Sequence, residues 1–111
     1  MTKRYALLYN RALQAGLTAG KEVVPRPLRL KGFEPIYEGI CGFATVNVPG
    51  NTAFGRWLKK AGHGDKSYRG GLDIWIHQFG QSYERKMAMA TAMAEVLQSG
   101  GVNAHSRGNV D

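Results

Sequence analysis

The chain has 111 residues, 43% apolar and 21% charged, with 15 Lys and Arg against 8 Asp and Glu, a formal net charge of +7. That length suits one domain with one core, and that apolar share excludes a disordered tail. No apolar run approaches the ~20 residues needed to span a bilayer, and the start lacks the apolar stretch and cleavage site of a signal peptide, so no membrane partner is expected.

Residues 1–24 are predicted as an N-terminal helical segment. Tyr5, Leu8, Tyr9, Ala12 and Leu13 recur at helical spacing, Gly16 interrupts, and Ala19 to Val24 continue for a turn or two. Pro25 and Pro27 stop the helix, because proline has no amide to donate and restricts the residue before it. Residues 25–39 read as a Pro/Gly connector, with a short extended piece over Leu28 to Lys31.

Residues 40–111 read as the compact α/β core of this single domain. A first strand is predicted over 40–48. The lone Cys41 falls on it and reads as a structural thiol rather than a nucleophile. One cysteine cannot staple a domain, which points to the reducing cytoplasm. Pro49-Gly50 turns the chain, and Asn51 or Thr52 can cap a helix over 52–61. Its apolar face is Ala53, Phe54, Trp57, Leu58 and Ala61, and Gly62 suits a left-handed stop.

Gly62 to Gly71 is expected to be a glycine-rich loop. Leu72, Ile74 and Ile76 then alternate with Asp73, Trp75 and His77, the pattern of a half-buried strand. Phe79-Gly80 turns the chain again. Ser82 caps the longest helix, 83–98, with Tyr83, Met87, Ala90, Met93, Ala94 and Leu97 as its apolar stripe. Gly100-Gly101 ends it, and Val102 to Ser106 is a short last strand. The expected fold is α+β: an N-terminal helix, then β-α-β-α-β, forming a small three-stranded sheet with helices packed on one face. Strand order stays open between parallel crossovers and antiparallel pairing.

Three groups of residues bear on function. The first is the polar face of the helix at 52–61. With Phe54, Trp57 and Leu58 turned inward, Arg56, Lys59 and Lys60 point outward, and the next loop adds Lys66 and Arg69 against one acid, Asp65. Phosphates favour such a cluster because each one neutralised releases condensed counterions. The loop glycines would let backbone amides approach a phosphate, although their spacing matches no nucleotide-binding loop. A solvated helix face beside a loop is the plainer reading.

The second group is the outer face of the sheet. If Leu72, Ile74 and Ile76 face the helices, Trp75 and His77 face away, with Phe43 and Thr45 beside them on the neighbouring strand. Exposed aromatics next to cations are how several domains stack unpaired bases. Against this, the N-terminal helix needs a surface to cover, and Tyr5, Leu8 and Tyr9 are expected to lie on this face.

The third group is Arg85 and Lys86. Cations in a first helical turn oppose the helix dipole, a cost offset by Glu84 or by an anion docked on the free amides. Met87, Met89 and Met93 read as packing. His63, His77 and His105 fall on separate elements without zinc-motif spacing. His63 with Asp65, or Asp73 with His77, could form a general-base pair or a metal site in a nuclease, but a lone loop histidine is usually just a loop residue, so no enzyme, metal or cofactor is expected.

Ala53-Phe-Gly-Arg-Trp-Leu-Lys-Lys60, Tyr68-Arg-Gly-Gly-Leu-Asp-Ile-Trp75, Gly80-Gln-Ser-Tyr-Glu-Arg-Lys86 and the ending Ser106-Arg107 with Asp111 last resemble small accessory proteins of tailed bacteriophages, over roughly residues 40–111. The resemblance lends no catalytic residues. It implies a bacterial host cytoplasm and a protein that touches nucleic acid or disables host machinery. The charge points to a non-enzymatic binding protein whose partner is DNA or RNA. Arg56, Lys59, Lys60, Lys66, Arg69, Arg85 and Lys86 would meet phosphates, and Trp75 would stack on a base. The alternatives are an interaction module that meets an acidic surface of a host or defence complex, and an oligomeric component of a phage particle.

Overall fold

The computed structural model describes residues 2–24 and 41–110, and the connector expected over 25–39 lies outside them. The elements in chain order are α1 (Thr2–Glu22), β1 (Gly42–Val48), α2 (Ala53–Lys60), β2 (Asp65–Lys66), β3 (Leu72–Trp75), α3 (Tyr83–Ser99) and β4 (His105–Val110). The fold is α+β, and the strands form one sheet of order β2-β3-β1-β4 in which every pair is antiparallel.

Four strands therefore replace the expected three. β2 lies inside the segment read as a loop. It escapes a period-two reading because it has two residues, both polar and both exposed. The last strand runs over His105–Val110 rather than 102–106, pairing with β1 from Asn47↔His105 to Gly42↔Val110. α1 also runs unbroken through Gly16.

Alternation along β1 and β3 sets the layers. Ala44, Val46 and Val48 are buried with Leu72, Ile74 and Ile76 on the face turned to the helices. α3 closes that face with Met89, Ala90, Met93, Ala94 and Leu97. Each such side chain fully buried contributes about 1.5–3 kcal/mol of transfer free energy if it is Val, Leu, Ile or Met. Ser82 starts α3, its Oγ accepting from Arg85 N at 3.3 Å. Thr52, one of the two residues able to cap α2, is the cap, accepting from Gly55 N at 3.0 Å.

α1 runs antiparallel to α3. Leu8 meets Gly100 at one end, Gly16 meets Met89 and Met93 in the middle, and Arg85 bonds to Val23 at the other end. A Cβ at Gly16 would lie 2.7 Å from Met93 Cγ and 2.8 Å from Met89 Cγ, so the glycine that looked like an interruption is what lets the helices close. Tyr5 and Tyr9 pack on Trp57, and Tyr5 also meets Phe54 edge-on at 5.8 Å. α1 thus belongs to the helical layer. The expectation that it covers the outer face of the sheet is overturned, because its aromatic stripe finds α2 and α3 instead.

Candidate nucleic-acid interface

The outer face carries the other half of the alternation. Trp75 pairs with Thr45, and Thr45 pairs with Arg107, so these three form one row across three strands. Phe43 lies two residues further along β1, opposite Asn109. Thr45 is short, so the row is hollow in its centre and high at its flanks. Phe43 is 49% exposed and Trp75 43% exposed, while Thr45 between them is buried.

A tight turn raises the rim. Ser67 N donates to Gly71 O at 3.0 Å, Gly70 N donates to Ser67 O at 3.1 Å, and Ser67 Oγ accepts from Arg69 N at 3.2 Å. Gly71 has φ +71, and a Cβ there would run into Val48 O, so this position requires glycine. Asn47 ties the turn to the sheet, donating from Nδ2 to Gly70 O at 3.0 Å and to Asp73 Oδ1 at 2.9 Å. The turn holds Tyr68 and Arg69 beside the hollow, with the Arg69 guanidinium 5.8 Å from the Tyr68 ring. Tyr68 is 91% exposed. Together Phe43, Thr45, Tyr68, Arg69, Trp75 and Arg107 line a shallow, open depression.

Arg107 lines it from β4. Its Nη1 is shut off from solvent and has no hydrogen-bond partner among the described residues. A buried donor in that condition costs on the order of 1–3 kcal/mol, more when charged. Asp73 is the carboxylate lining the depression, and Asn47 already donates to it.

The sequence-predicted cations separate into groups. Arg56, Lys59 and Lys60 are exposed on α2, three and four residues apart on one stripe. Arg56 Nη1 donates to Asn51 O at 3.2 Å. Lys59 and Lys60 fall in the last turn of α2, where cations complement the helix dipole. Lys66 is exposed on β2 and by register shares Leu72's face, while Asp65 shares the outer face.

Arg85 and Lys86 stand at the opposite end of β1, where Cys41 bridges to Ser82 and Gly42 N donates to Gln81 O at 3.2 Å. The seven residues of β1 put about 20 Å between this end and the start of α2. Arg85 is half-buried, its Nε donating to Val23 O at 3.2 Å near the end of α1. Lys86 is 8% exposed, with Nζ 5.9 Å from the Phe43 ring. Trp75 and Arg69 are thus brought together, Lys86 approaches them through Phe43, and Arg85 is turned to the helical layer.

Tyr68 and Arg107 were not picked out from the sequence. Arg107 needed the register of β4, and Gly108, whose Cβ position meets Tyr83 and Met87 on the helix side, hides the alternation there. Tyr68 needed the turn.

A second cleft lies between α1 and β3. The Tyr9 and His63 rings stack at 4.4 Å and 9°, and Asp65, His77 and Gln78 share the lining. Burial pushes the Tyr9 hydroxyl pKa up from its usual 10.0. Among the described residues, no group of three or more His, Cys, Asp or Glu could hold a metal ion, and no helix is long and apolar enough to cross a membrane. Cys41 is half-buried and free. Compared with models of protein families, with curated proteins and with solved structures, the chain finds no match.

Proposed function

We propose that this protein is a non-enzymatic nucleic-acid-binding protein. The observation that carries this reading is the juxtaposition of exposed aromatics and cations on one sheet face, Phe43, Tyr68 and Trp75 with Arg69 and Arg107. Aromatic faces stack on bases, and cations neutralise phosphates. Such a cluster of large exposed rings is unusual for a surface facing only water. Arg56, Lys59 and Lys60 on α2, with Lys66 on Leu72's side of the sheet, supply a second, separate set of exposed charges. The net charge of +7 raises the encounter rate with any polyanion. The phage resemblance, read as a setting, suits a small protein of this kind.

The test is binding to labelled DNA and RNA over a salt series, with wild type and the Lys59→Gln/Lys60→Gln variant. Affinity is expected to fall steeply with salt, and the double variant is expected to flatten the log–log slope by about 1 to 2. Absence of binding to every nucleic acid at low salt overturns the reading. In that event the charge serves an acidic protein surface, and a stoichiometric partner should survive nuclease treatment.

A further inference from the structure

We infer that the depression on the outer sheet face is a seat for one unpaired base, which makes single-stranded nucleic acid the preferred ligand. The inference rests on the nucleic-acid reading and goes beyond it by naming strandedness and the residue that reads the base.

The geometry argues for a base rather than a phosphate in the hollow. Its walls are the Phe43 and Trp75 rings, with Tyr68 at the rim. A flat apolar-faced group gains from such walls and a phosphate does not. Asp73 lines the same hollow and would repel a phosphate, whereas an amino-bearing base edge tolerates it. A phosphate flanking the base would meet Arg69, which the turn holds beside the hollow.

Arg107 supplies the polar contact. It stands in register with Thr45 and Trp75 and lines the same hollow as the stacking ring. Its Nη1 is shielded and unpartnered among the described residues. A base places ring nitrogens and carbonyl oxygens, which are acceptors, at its edge, and a guanidinium donates to them. A paired duplex cannot present that edge and its π-face together, because its bases are stacked on one another. Single strands can.

This assignment makes Arg107 a residue that costs stability and serves binding. Replacing it by Met, which keeps much of the stem but removes the shielded guanidinium nitrogen, is expected to leave melting unchanged or raise it.

The experiment is tryptophan fluorescence quenching, with Trp75→Leu isolating the Trp57 background, and anisotropy with a short labelled single-stranded oligonucleotide and with its duplex, for wild type, Arg107→Met, Trp75→Leu and Lys59→Gln/Lys60→Gln. Melting of each variant is measured alongside. Wild type is expected to bind the single strand at least about ten-fold tighter than the duplex. Trp75→Leu, read by anisotropy, and Arg107→Met are each expected to weaken single-strand binding by about ten-fold, with Tm held or raised for the latter. Their duplex binding should change little.

Equal affinity for both forms overturns the base seat. So does unchanged single-strand binding in both Trp75→Leu and Arg107→Met while the lysine variant loses it, although the nucleic-acid reading then survives on α2. No binding of either form by wild type overturns both. A fall in Tm for Arg107→Met, in step with its loss of binding, makes Arg107 structural and removes it from the seat.

Discussion

The two faces of this sheet are built from the same strands and obey opposite rules. On the helix side, Val46, Val48, Leu72 and Ile74 are almost wholly buried and meet Met89, Met93 and Leu97. On the outer side, one residue away along each strand, Phe43 and Trp75 stand half in water and Arg107 keeps a nitrogen without a partner among the described residues. The first face is explained by burial alone. The second holds exposed rings and a shielded guanidinium nitrogen, neither of which improves the packing. Where a fold retains features that its own stability does not require, a ligand is the economical explanation.

Substitutions should separate the faces. The largest expected effect is on the helix side: Leu97→Ala should cost about 2–5 kcal/mol, measured by chemical denaturation, because it empties a fully buried position. Its binding per folded molecule should be unchanged. Gly71→Ala comes next, at about 1–3 kcal/mol, since it forces a side chain into a left-handed backbone position against Val48 O. Unlike Leu97→Ala, it should also weaken nucleic-acid binding among folded molecules, because the turn that holds Tyr68 and Arg69 shifts.

Tyr68→Ala sharpens the contrast from the other direction. With the ring almost fully exposed, stability should change by less than about 0.5 kcal/mol, while single-strand affinity falls several-fold in an anisotropy titration. A stability loss as large as that of Leu97→Ala would erase the distinction between the faces.

The smallest effect tests the helical side once more. The Tyr9 pKa is raised by burial, so folding favours the neutral phenol. That contribution is complete below the unfolded value of 10.0 and is lost as pH rises through the higher folded value. Tyr9→Phe should therefore lose less stability than wild type as pH rises above about 10, read as Tm against pH.

Much of the architecture was legible because it is written in local periodicity. Leu72, Ile74 and Ile76 announce a strand, and Thr52 and Ser82 announce helix starts. The outer position of Trp75 follows from the same alternation. The missing parts are those set by long-range pairing. β2 is two polar residues with no pattern of its own, and β4 is an edge strand whose only buried-side marker near Arg107 is a glycine.

Gly16 misled in an instructive way. Local propensity marks a glycine as a helix interruption, yet contact with Met89 and Met93, more than seventy residues on, rewards its missing side chain. Arg85 and Lys86 misled for the same kind of reason. Their charges suggested a surface patch, but Val23 O and the Phe43 ring draw them inward. Sequence marked Trp75, and only the register of β1 with β3 and β4 set it in one row with Arg107.

The most direct measurement is a residue-resolved amide NMR titration of the protein with a short single-stranded oligonucleotide. The largest shifts are expected at Phe43, Thr45, Trp75, Arg107 and the Ser67 to Gly71 turn, with smaller ones on α2 and none at Ala90 or Met93. Shifts confined to α2, to the Tyr9–His63 cleft or to the helical layer, with the outer sheet face silent, would contradict the base seat.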